Sequence, residues 1–315
     1  MSSIFRTRQA PSPTGYLHIG TARTVLFTKL LAMINSGEWY MRLDDTDRNR
    51  LQPDCVKVLL NALTELGLAP KEGISLHNND NSTYNSFYDI YQNGDYAPYI
   101  QSERLEIYHA HAQNMIDRQM AYWSYLTPED KQELQDIKQA TKLPIDYFKI
   151  CSQSNPDKLF QSVKEGLSDD LKPVLLYKIQ RNQKIICHDE LVGDTEFDLK
   201  LEEDFGILKS DGYPTYHLAH IIDDHLSEIS LVVRSQEWYP SFAKHQTMFL
   251  DYWNTAPKYI HLPFILGETG NKKMSKRDGN VNIQDYLDKG FLPEAIINYL
   301  AFLGFNPATD KEMYL

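Results

Sequence analysis

The first 37 residues place a short strand-like segment, a loop rich in proline and glycine, and a long segment with helical periodicity directly after one another. The loop, residues 10–20, reads APSPTGYLHIG. Proline and glycine at this density cannot continue a strand or lie inside a helix, so this stretch must be a connection. Apolar residues recur at helical spacing from Thr21, and Gly37 is expected to end that helix. The sequence therefore predicts a strand that passes through a loop into a crossover helix.

The same alternation continues for one more unit and then breaks. A second strand is predicted at 39–43, and a helix at 53–66 is closed by Gly67. Alternating strands and helices with short connections indicate a parallel sheet with crossover helices, as in the first half of a Rossmann-like fold. Residues 71–100 are rich in Asn, Asp, Ser and Tyr and have no sustained period, so we expect a surface insertion with little regular structure.

The middle of the chain, from about 102 to 204, has a different pattern. Polar helices are predicted at 105–120 and after Thr127, where a Thr–Pro pair is expected to cap and begin the helix. Short apolar segments at 175–179 and 184–187 indicate strands. This mixture is typical of an inserted α+β domain.

Strand–helix alternation then resumes. Strands are predicted at 205–208, 229–234 and 259–265, and helices from about 214 and over 240–252. The predicted fold class is α/β, a doubly wound parallel Rossmann-like sheet split by an inserted α+β domain. The expected parts are the first half of the sheet domain at 1–101, the insertion at 102–204 and the second half at 205–315.

Composition excludes several classes of protein. The 315 residues are 42% hydrophobic, which is ample for packed cores, and no apolar run approaches the roughly 18 residues of a membrane span. A net charge of −11 argues against a generally basic protein that coats nucleic acid. The opening residues carry no apolar leader segment, and the three cysteines form no CxxC pair. We therefore expect a cytoplasmic protein without a disulfide framework.

The loop before the first helix carries the first candidate site. In open parallel sheets, ligands bind beyond the carboxyl ends of the strands, and backbone N–H groups at a helix start attract phosphate. His18 can donate a hydrogen bond to a phosphate, and Gly20 has no side chain to block a nucleotide ring. The three letters HIG alone are equally compatible with a surface histidine.

A second motif, KKMSKRDGN at 272–280, strengthens this interpretation. It surrounds Met274 with Lys272, Lys273, Lys276 and Arg277. Lysines on such a loop can close over a triphosphate and neutralise the charge that builds on pyrophosphate as it leaves. A solvated basic loop is the alternative, and it is the presence of both motifs in this order that favours nucleotide chemistry.

The two motifs together resemble the signature pair of the class I aminoacyl-tRNA synthetases. Further stretches are similar to the bacterial and organellar type of glutamyl-tRNA synthetase: RLDDTDRNR, QSERLEIY, KSDGYPTYHLAHIIDDHL, RSQEWYPS and GFLPEAIINYLAFLGF. The resemblance covers nearly the whole chain. It implies ATP-dependent activation of L-glutamate to glutamyl-adenylate and transfer to the 3′ end of tRNA(Glu), with Mg²⁺ accompanying the ATP. It further implies a monomer whose insertion binds the acceptor end of the tRNA.

The resemblance also assigns residues. The catalytic residues implied are His18, Lys273 and Lys276. The ATP-binding residues implied are His18, Gly20, Thr21, Glu237, Trp238, Met274 and Lys276. The glutamate-binding residues implied are Arg8, Ala10, Ser12, Asp44, Tyr216, His220 and Arg234, with Arg8 and Arg234 recognising carboxylates. No dedicated protein ligands for a metal ion are expected, because water and phosphate oxygens supply most Mg²⁺ ligands.

Two positions depart from the family pattern, and one stretch lacks the zinc cysteines of some relatives. Asp44 stands where a glutamate is common near the substrate ammonium. His220 stands where an asparagine is common, and a protonated His220 would be a stronger donor to the side-chain carboxylate. The stretch 122–125, Tyr-Trp-Ser-Tyr, replaces cysteines that hold zinc in some relatives, so we expect no zinc.

The sequence leaves alternatives open. Enzymes of this type continue further with an anticodon-binding domain, so a catalytic portion of a longer enzyme is favoured, and charging of tRNA(Gln) stays open. A short paralogue, glutamyl-queuosine tRNA(Asp) synthetase, is the main alternative, but its second signature is usually degenerate. An inactive tRNA-binding protein on the same fold is disfavoured by the intact HIG and KMSKR motifs. A small-molecule nucleotidylyltransferase would need neither the insertion nor APSPTG.

Overall fold

The structure, a computed structural model, describes residues 4–79, 81–167, 172–267, 274 and 281–314. The helices are α1 (Ile19–Ile34), α2 (Asp54–Glu65), α3 (Leu105–Asp117), α4 (Pro128–Thr141), α5 (Tyr147–Ser154), α6 (Val163–Gly166), α7 (Tyr216–Leu226), α8 (Phe242–Trp253), α9 (Ile283–Asp288) and α10 (Pro293–Phe302). The strands are β1 (Arg6–Gln9), β2 (Glu38–Met41), β3 (Glu72–Ser75), β4 (Thr83–Asn85), β5 (Ile90–Asn93), β6 (Ala121–Ser124), β7 (Val174–Tyr177), β8 (Lys184–Asp189), β9 (Gly193–Asp198), β10 (Phe205–Leu208), β11 (Leu231–Ser235) and β12 (Lys258–Leu262).

A nine-stranded sheet in the order β4-β5-β3-β2-β1-β11-β12-β8-β9 forms the centre of the fold. β1 is parallel to β2 on one side and to β11 on the other, and β11 is parallel to β12. The chain thus winds outward in both directions from the β1–β11 pair, as in a doubly wound sheet. A second, antiparallel sheet has the order β10-β7-β6. These pairings confirm the predicted α/β class with a mostly parallel Rossmann-like sheet.

Residues 71–100 differ from the prediction. They form β3, β4 and β5, which extend one edge of the large sheet, with β3 parallel to β2 and β5 antiparallel to β3 and β4. The prediction of little regular structure was wrong because these strands have only three or four residues and are largely polar, so they show no clear alternation. Burial of Ile74 and Ile90 anchors them to the core.

The segment 102–204 contributes strands to both sheets. In the small sheet, β7 pairs with β6 on one side and with β10, which follows this segment, on the other. β8 and β9 form an antiparallel hairpin, and β8 pairs with β12 at the other edge of the large sheet, where Asp189 is opposite Tyr259. Strand pairing therefore crosses the predicted divisions at 102 and 204, and the domain boundaries stay a prediction.

The end of α1 differs from the expectation in detail. Asn35 is the cap, and Ser36 rather than Gly37 adopts a positive φ, of 51°. Gly37 is needed for another reason: an added Cβ would lie 2.1 Å from the carbonyl oxygen of Phe5. The missing side chain therefore lets the chain enter β2 directly beside the residues that begin β1.

The predicted end of α2 and the predicted start of α4 are confirmed. Gly67 follows α2 with a φ of 66°. Thr127 and Asp130 form a capping box at the start of α4, with Pro128 in the first turn. The three cysteines are buried. Within the described ranges, none of the helices has the length and apolar character needed to cross a bilayer.

Candidate active site

A cavity of about 1340 Å³ opens beyond the carboxyl ends of β1 and β11, where the two halves of the sheet meet. Its walls come from the loop after β1, the starts of α1 and α7, and the 3₁₀ turn Gln236–Ser241 after β11. Open α/β sheets bind ligands at this position. Most of the predicted site residues line the cavity: Arg8, Ala10, Ser12, His18, Gly20, Thr21, Asp44, Tyr216, Arg234, Glu237, Trp238 and Met274.

The two predicted catalytic lysines, Lys273 and Lys276, lie outside the described residues. Met274, between them, is described and belongs to the cavity wall. Just beyond the motif, the carbonyl of Val281 accepts a hydrogen bond of 2.8 Å from the backbone N–H of Ile19. The chain that follows the KMSKR motif therefore contacts the start of α1.

His18 is the N-terminal cap of α1. Its Nδ1 accepts a hydrogen bond of 3.0 Å from the backbone N–H of Gly20. An accepting Nδ1 places the ring proton on Nε2, so the imidazole is neutral with a donor at Nε2. A Cβ on residue 20 would lie 3.3 Å from that Nδ1, and glycine allows this close approach. The cavity wall therefore combines an imidazole donor with a helix N-terminus, where anions bind.

Arg8 is buried between β1 and α7 and is paired with a carboxylate. Its Nε lies 3.0 Å from both oxygens of Asp224, and its Nη2 lies 3.0 Å from Oδ2 of the same residue. Nη2 is also 3.1 Å from Nδ1 of His220. Although burial raises the pKa of Asp224, Arg8, His220 and Arg42 lower it well below its ordinary value. The charge of Arg8 is thus balanced within the protein.

The same ion-pair network contains residues that the sequence reasoning missed. Arg42, which follows β2, lies 2.7 Å from Asp44 and 2.9 Å from Asp224. Arg104 lies 2.8 Å from Asp223. Burial raises the pKa of Asp44, against the opposing effect of Arg42. The two adjacent aspartates that directly follow Ile221 and Ile222 in the HIIDDHL segment were the available signal, because carboxylates on a buried helix face require counter-charges.

Arg234 at the carboxyl end of β11 has a different environment. It is 5% exposed, and no carboxylate among the described residues pairs with it. Its Nε donates to Nε2 of His261 at 2.8 Å, and its Nη1 contacts Nδ1 of His245 at 2.9 Å. The guanidinium lies 4.9 Å from the ring centre of Tyr259. Its Nη2 is buried without a hydrogen-bond partner, so the residue retains both an unbalanced charge and an unused donor.

Three aromatic rings pack together beside Arg234. The ring centres of Tyr216 and Trp238 are 4.2 Å apart, and Tyr216 stacks on His220 at 5.3 Å with an interplanar angle of 10°. His220 is fully buried and lies outside the cavity wall. Burial lowers its pKa to about 3, so the ring is neutral at pH 7. The condition for a stronger donor, a protonated ring, is therefore not met at pH 7, and the place of His220 in a glutamate pocket stays a prediction.

A metal site was not expected. Within the part of the chain that the structure describes, no cluster of three or more His, Cys, Asp or Glu side chains could hold a metal ion. The stretch that replaces the zinc cysteines of some relatives lies largely in β6 and is buried there, with the Tyr122 hydroxyl donating to Asp204 at 2.6 Å. The absence of zinc from the protein stays a prediction.

Comparisons with known proteins agree with the sequence motifs. The family model for tRNA synthetases class I (E and Q), catalytic domain, matches residues 4–315. The glutamate–tRNA ligase of Clostridioides difficile (strain 630) is 35% identical over 309 residues, which are 98% of this chain and 60% of that protein. The glutamate–tRNA ligase of Alkaliphilus metalliredigens (strain QYMF) is 36% identical over 314 residues, which are 100% of this chain and 61% of that protein. The chain thus spans about three fifths of the length of these curated relatives.

Solved structures show the same similarity in three dimensions. A glutamate tRNA ligase from Elizabethkingia meningosepticum CCUG26117, crystallised in complex with its amino acid, superposes with a TM-score of 0.84 at 32% identity, covering 99% of this chain and 63% of that one. The glutamate-tRNA synthetase from Elizabethkingia anophelis gives a TM-score of 0.84 at 32% identity, covering 99% and 64%. A family match over residues 4–315 and the fold shared with these solved structures place this chain in the catalytic-domain family of the class I tRNA synthetases (E and Q).

Proposed function

We propose that this chain is the catalytic part of a glutamate–tRNA ligase, which activates L-glutamate with ATP and transfers it to the 3′ end of tRNA(Glu). The observation that supports this most strongly is the composition of one cavity wall. His18 offers a donor at a helix start, and Arg234 is a buried guanidinium with an unused donor. A site for a nucleoside triphosphate and a site for a carboxylate therefore share one cavity.

The unbalanced charge of Arg234 supports selection of glutamate. A carboxylate bound there satisfies the buried Nη2 and neutralises the guanidinium. The neutral amide of glutamine leaves that charge uncompensated in a desolvated position, which is a strong basis for discrimination. Arg8 is the second arginine proposed to contact a carboxylate, with its Nε and Nη2 already engaged by Asp224.

The reaction requires positioning and charge stabilisation rather than a covalent enzyme intermediate. A glutamate carboxylate oxygen attacks the α-phosphorus of ATP, and pyrophosphate leaves. Mg²⁺ held by the ATP phosphates and water would neutralise part of the phosphate charge. His18 donates from Nε2 to the phosphates, Gly20 and Thr21 bring the start of α1 close to them, and Lys273 and Lys276 neutralise the developing charge. A terminal ribose hydroxyl of the tRNA then attacks the carbonyl carbon, and AMP leaves.

Other residues of the chain complete the proposed nucleotide and amino-acid sites and contact the tRNA. Trp238 packs on the adenosine, with Glu237 and Met274 beside the nucleotide. Ala10, Ser12, Asp44, Tyr216 and His220 complete the amino-acid pocket. The segment 102–204 binds the acceptor end of tRNA(Glu) without zinc, and the protein acts in the cytoplasm as a monomer.

The test is glutamate-dependent ATP–pyrophosphate exchange in the presence of total tRNA, followed by identification of the charged tRNA. We expect exchange with glutamate and charging of tRNA(Glu). His18→Ala is expected to slow exchange by about 10²-fold, because it removes a positioned donor. His77→Ala, at an exposed histidine on the far edge of the sheet, is the matched control and is expected to leave the rate unchanged.

Two results would overturn the proposal. Selective glutamylation of tRNA(Asp) would identify the queuosine-modifying paralogue instead. Binding of tRNA without exchange for any amino acid would identify an inactive tRNA-binding protein.

A further inference from the structure

Arg234 determines the protonation of the two imidazoles that hold it. A guanidinium can only donate hydrogen bonds, so Nε2 of His261 and Nδ1 of His245 must both accept. His261 therefore carries its proton on Nδ1, and His245 carries its proton on Nε2. Burial lowers the pKa of His261 to about 4 and that of His245 well below its ordinary value, so both rings are neutral at pH 7.

Asp189, at the end of β8, fixes the tautomer of His261. Its Oδ2 lies 2.7 Å from Nδ1 of His261 and 2.9 Å from the backbone nitrogen of the same residue. Its Oδ1 accepts from the backbone N–H groups of Leu191 and Val192 at 2.8 and 2.9 Å. Although burial raises the pKa of Asp189, these hydrogen bonds lower it overall, so the side chain is an ionised acceptor at pH 7.

His217 supports the other imidazole in the same way. Its Nδ1 lies 2.9 Å from Nε2 of His245. Since Nε2 of His245 carries the proton, His217 accepts through Nδ1. The guanidinium is therefore held by two chains of neutral acceptors, and among the described residues the one through His261 ends on a carboxylate, Asp189.

We propose that Asp189, His261 and His245 are positioning residues for glutamate recognition, which hold Arg234 through neutral acceptors and so leave its charge for the amino-acid carboxylate. The proposal rests on the proposed function of this cavity. A carboxylate in direct contact with Arg234 would orient it equally well but would cancel its charge, as Asp224 does for Arg8. Neutral imidazoles orient the guanidinium without that loss, and Asp189 acts only through His261.

Asp189→Asn is the main test, because an asparagine can reverse the tautomer of its histidine partner. If the amide NH₂ faces Nδ1 of His261, the ring proton moves to Nε2 and opposes the N–H of Arg234. We expect the KM for glutamate to rise about tenfold or more, whereas the KM for ATP should stay within about twofold of the wild-type value. Asp89→Asn is the matched control: it makes the same substitution in an exposed ion pair with Lys57, outside the segment 102–204, and should leave the glutamate KM unchanged.

Variants of His261 separate positioning from folding. His261→Gln keeps a carbonyl acceptor for Arg234 and is expected to hold the glutamate KM within about threefold, whereas His261→Leu removes the acceptor and should raise it about tenfold or more. In the His261→Gln background, Asp189→Asn should raise the glutamate KM by less than about threefold. A similar rise in the glutamate KM from Asp189→Asn with and without His261 would overturn the proposal, as would equal rises in both KM values.

The tautomer of His261 is measured independently of activity by long-range ¹H–¹⁵N correlation spectra of histidine-labelled protein. We expect an Nδ1–H imidazole in the wild type and an Nε2–H imidazole in Asp189→Asn. An Nε2–H tautomer of His261 in the wild type would overturn the proposed positioning even if glutamate is activated. A wild type that has the Nδ1–H tautomer but activates no glutamate would instead overturn the proposed function and, with it, the purpose assigned to the arrangement.

Discussion

Arg8 and Arg234 are both buried arginines in the wall of one cavity, but their charges have different partners. Arg8 contacts the carboxylate of Asp224, whereas Arg234 contacts the neutral rings of His261 and His245. A buried ion pair helps to hold two parts of a fold in register, while a buried charge without a counter-charge only costs stability. The difference gives Arg8 a structural role between β1 and α7, beside the carboxylate contact proposed for it, and supports the proposal that Arg234 binds a ligand.

The largest effect on stability is expected when the carboxylate that balances the charge of Arg8 is removed. Asp224→Asn leaves Arg8 and Arg42 buried without this carboxylate and should lower the free energy of unfolding by about 3–5 kcal/mol. Urea denaturation measures this loss. Asp89→Asn, which breaks the exposed ion pair with Lys57, is the matched control and should leave the midpoint unchanged. An equal midpoint for all three proteins would contradict the assigned role of Asp224.

The next effect should separate the two arginines by function. Arg234→Met is expected to lower kcat/KM for glutamate by about 10²-fold or more, because it removes the charge that selects the carboxylate. Its free energy of unfolding should change less than that of Arg8→Met, which removes one of the two arginines that contact the buried carboxylate of Asp224. Exchange kinetics and urea denaturation of both variants provide the comparison. Greater destabilisation by Arg234→Met than by Arg8→Met would reverse the assignment.

The smallest effect, taken for one histidine and one pH unit, is the pH dependence of stability. Burial lowers the pKa of His217 and His261 to about 4 each, so these rings stay neutral in the folded protein while the unfolded chain takes up protons below pH 6.5. The contribution of the neutral rings to the free energy of unfolding is therefore complete above about pH 6.5. As the pH falls towards 4, the free energy of unfolding decreases by about 1.4 kcal/mol per pH unit for each histidine. The pKa of Asp224 lies well below its ordinary value, so the Arg8 pair keeps its charges in this window.

Urea denaturation at pH 7, 6 and 5 measures this slope. His217→Gln removes one titrating ring and should make the slope shallower than in the wild type. A stability that does not fall between pH 6.5 and 5 would show that these rings are not held neutral by the fold.

The regular alternation of the chain was predictable from sequence, and the short strands were not. The strand–loop–helix unit at the start, the capping of α4 and the strands β10 to β12 follow from periodicity and turn residues. Residues 71–100 were misjudged because β3, β4 and β5 are stabilised by pairing with the rest of the sheet rather than by their own pattern.

The residues of the cavity were largely predictable because they occur in recognisable motifs, whereas their partners were not. Arg8 and Asp224 are 216 positions apart, and Asp189 and His261 are 72 apart. Local patterns carry no information about contacts at such separations. The sequence could show that buried aspartates and histidines need partners, but only the fold shows that one arginine receives a carboxylate and the other an imidazole.

The β8–β9 hairpin has a consequence for protein engineering. Its last β8 residue, Asp189, reaches across to His261 on β12, so the middle segment of the chain supplies part of the support for Arg234. A chimera that exchanges this segment for that of another synthetase must bring an acidic side chain opposite His261. Without it, a graft intended to alter only tRNA contacts would also loosen the choice of amino acid.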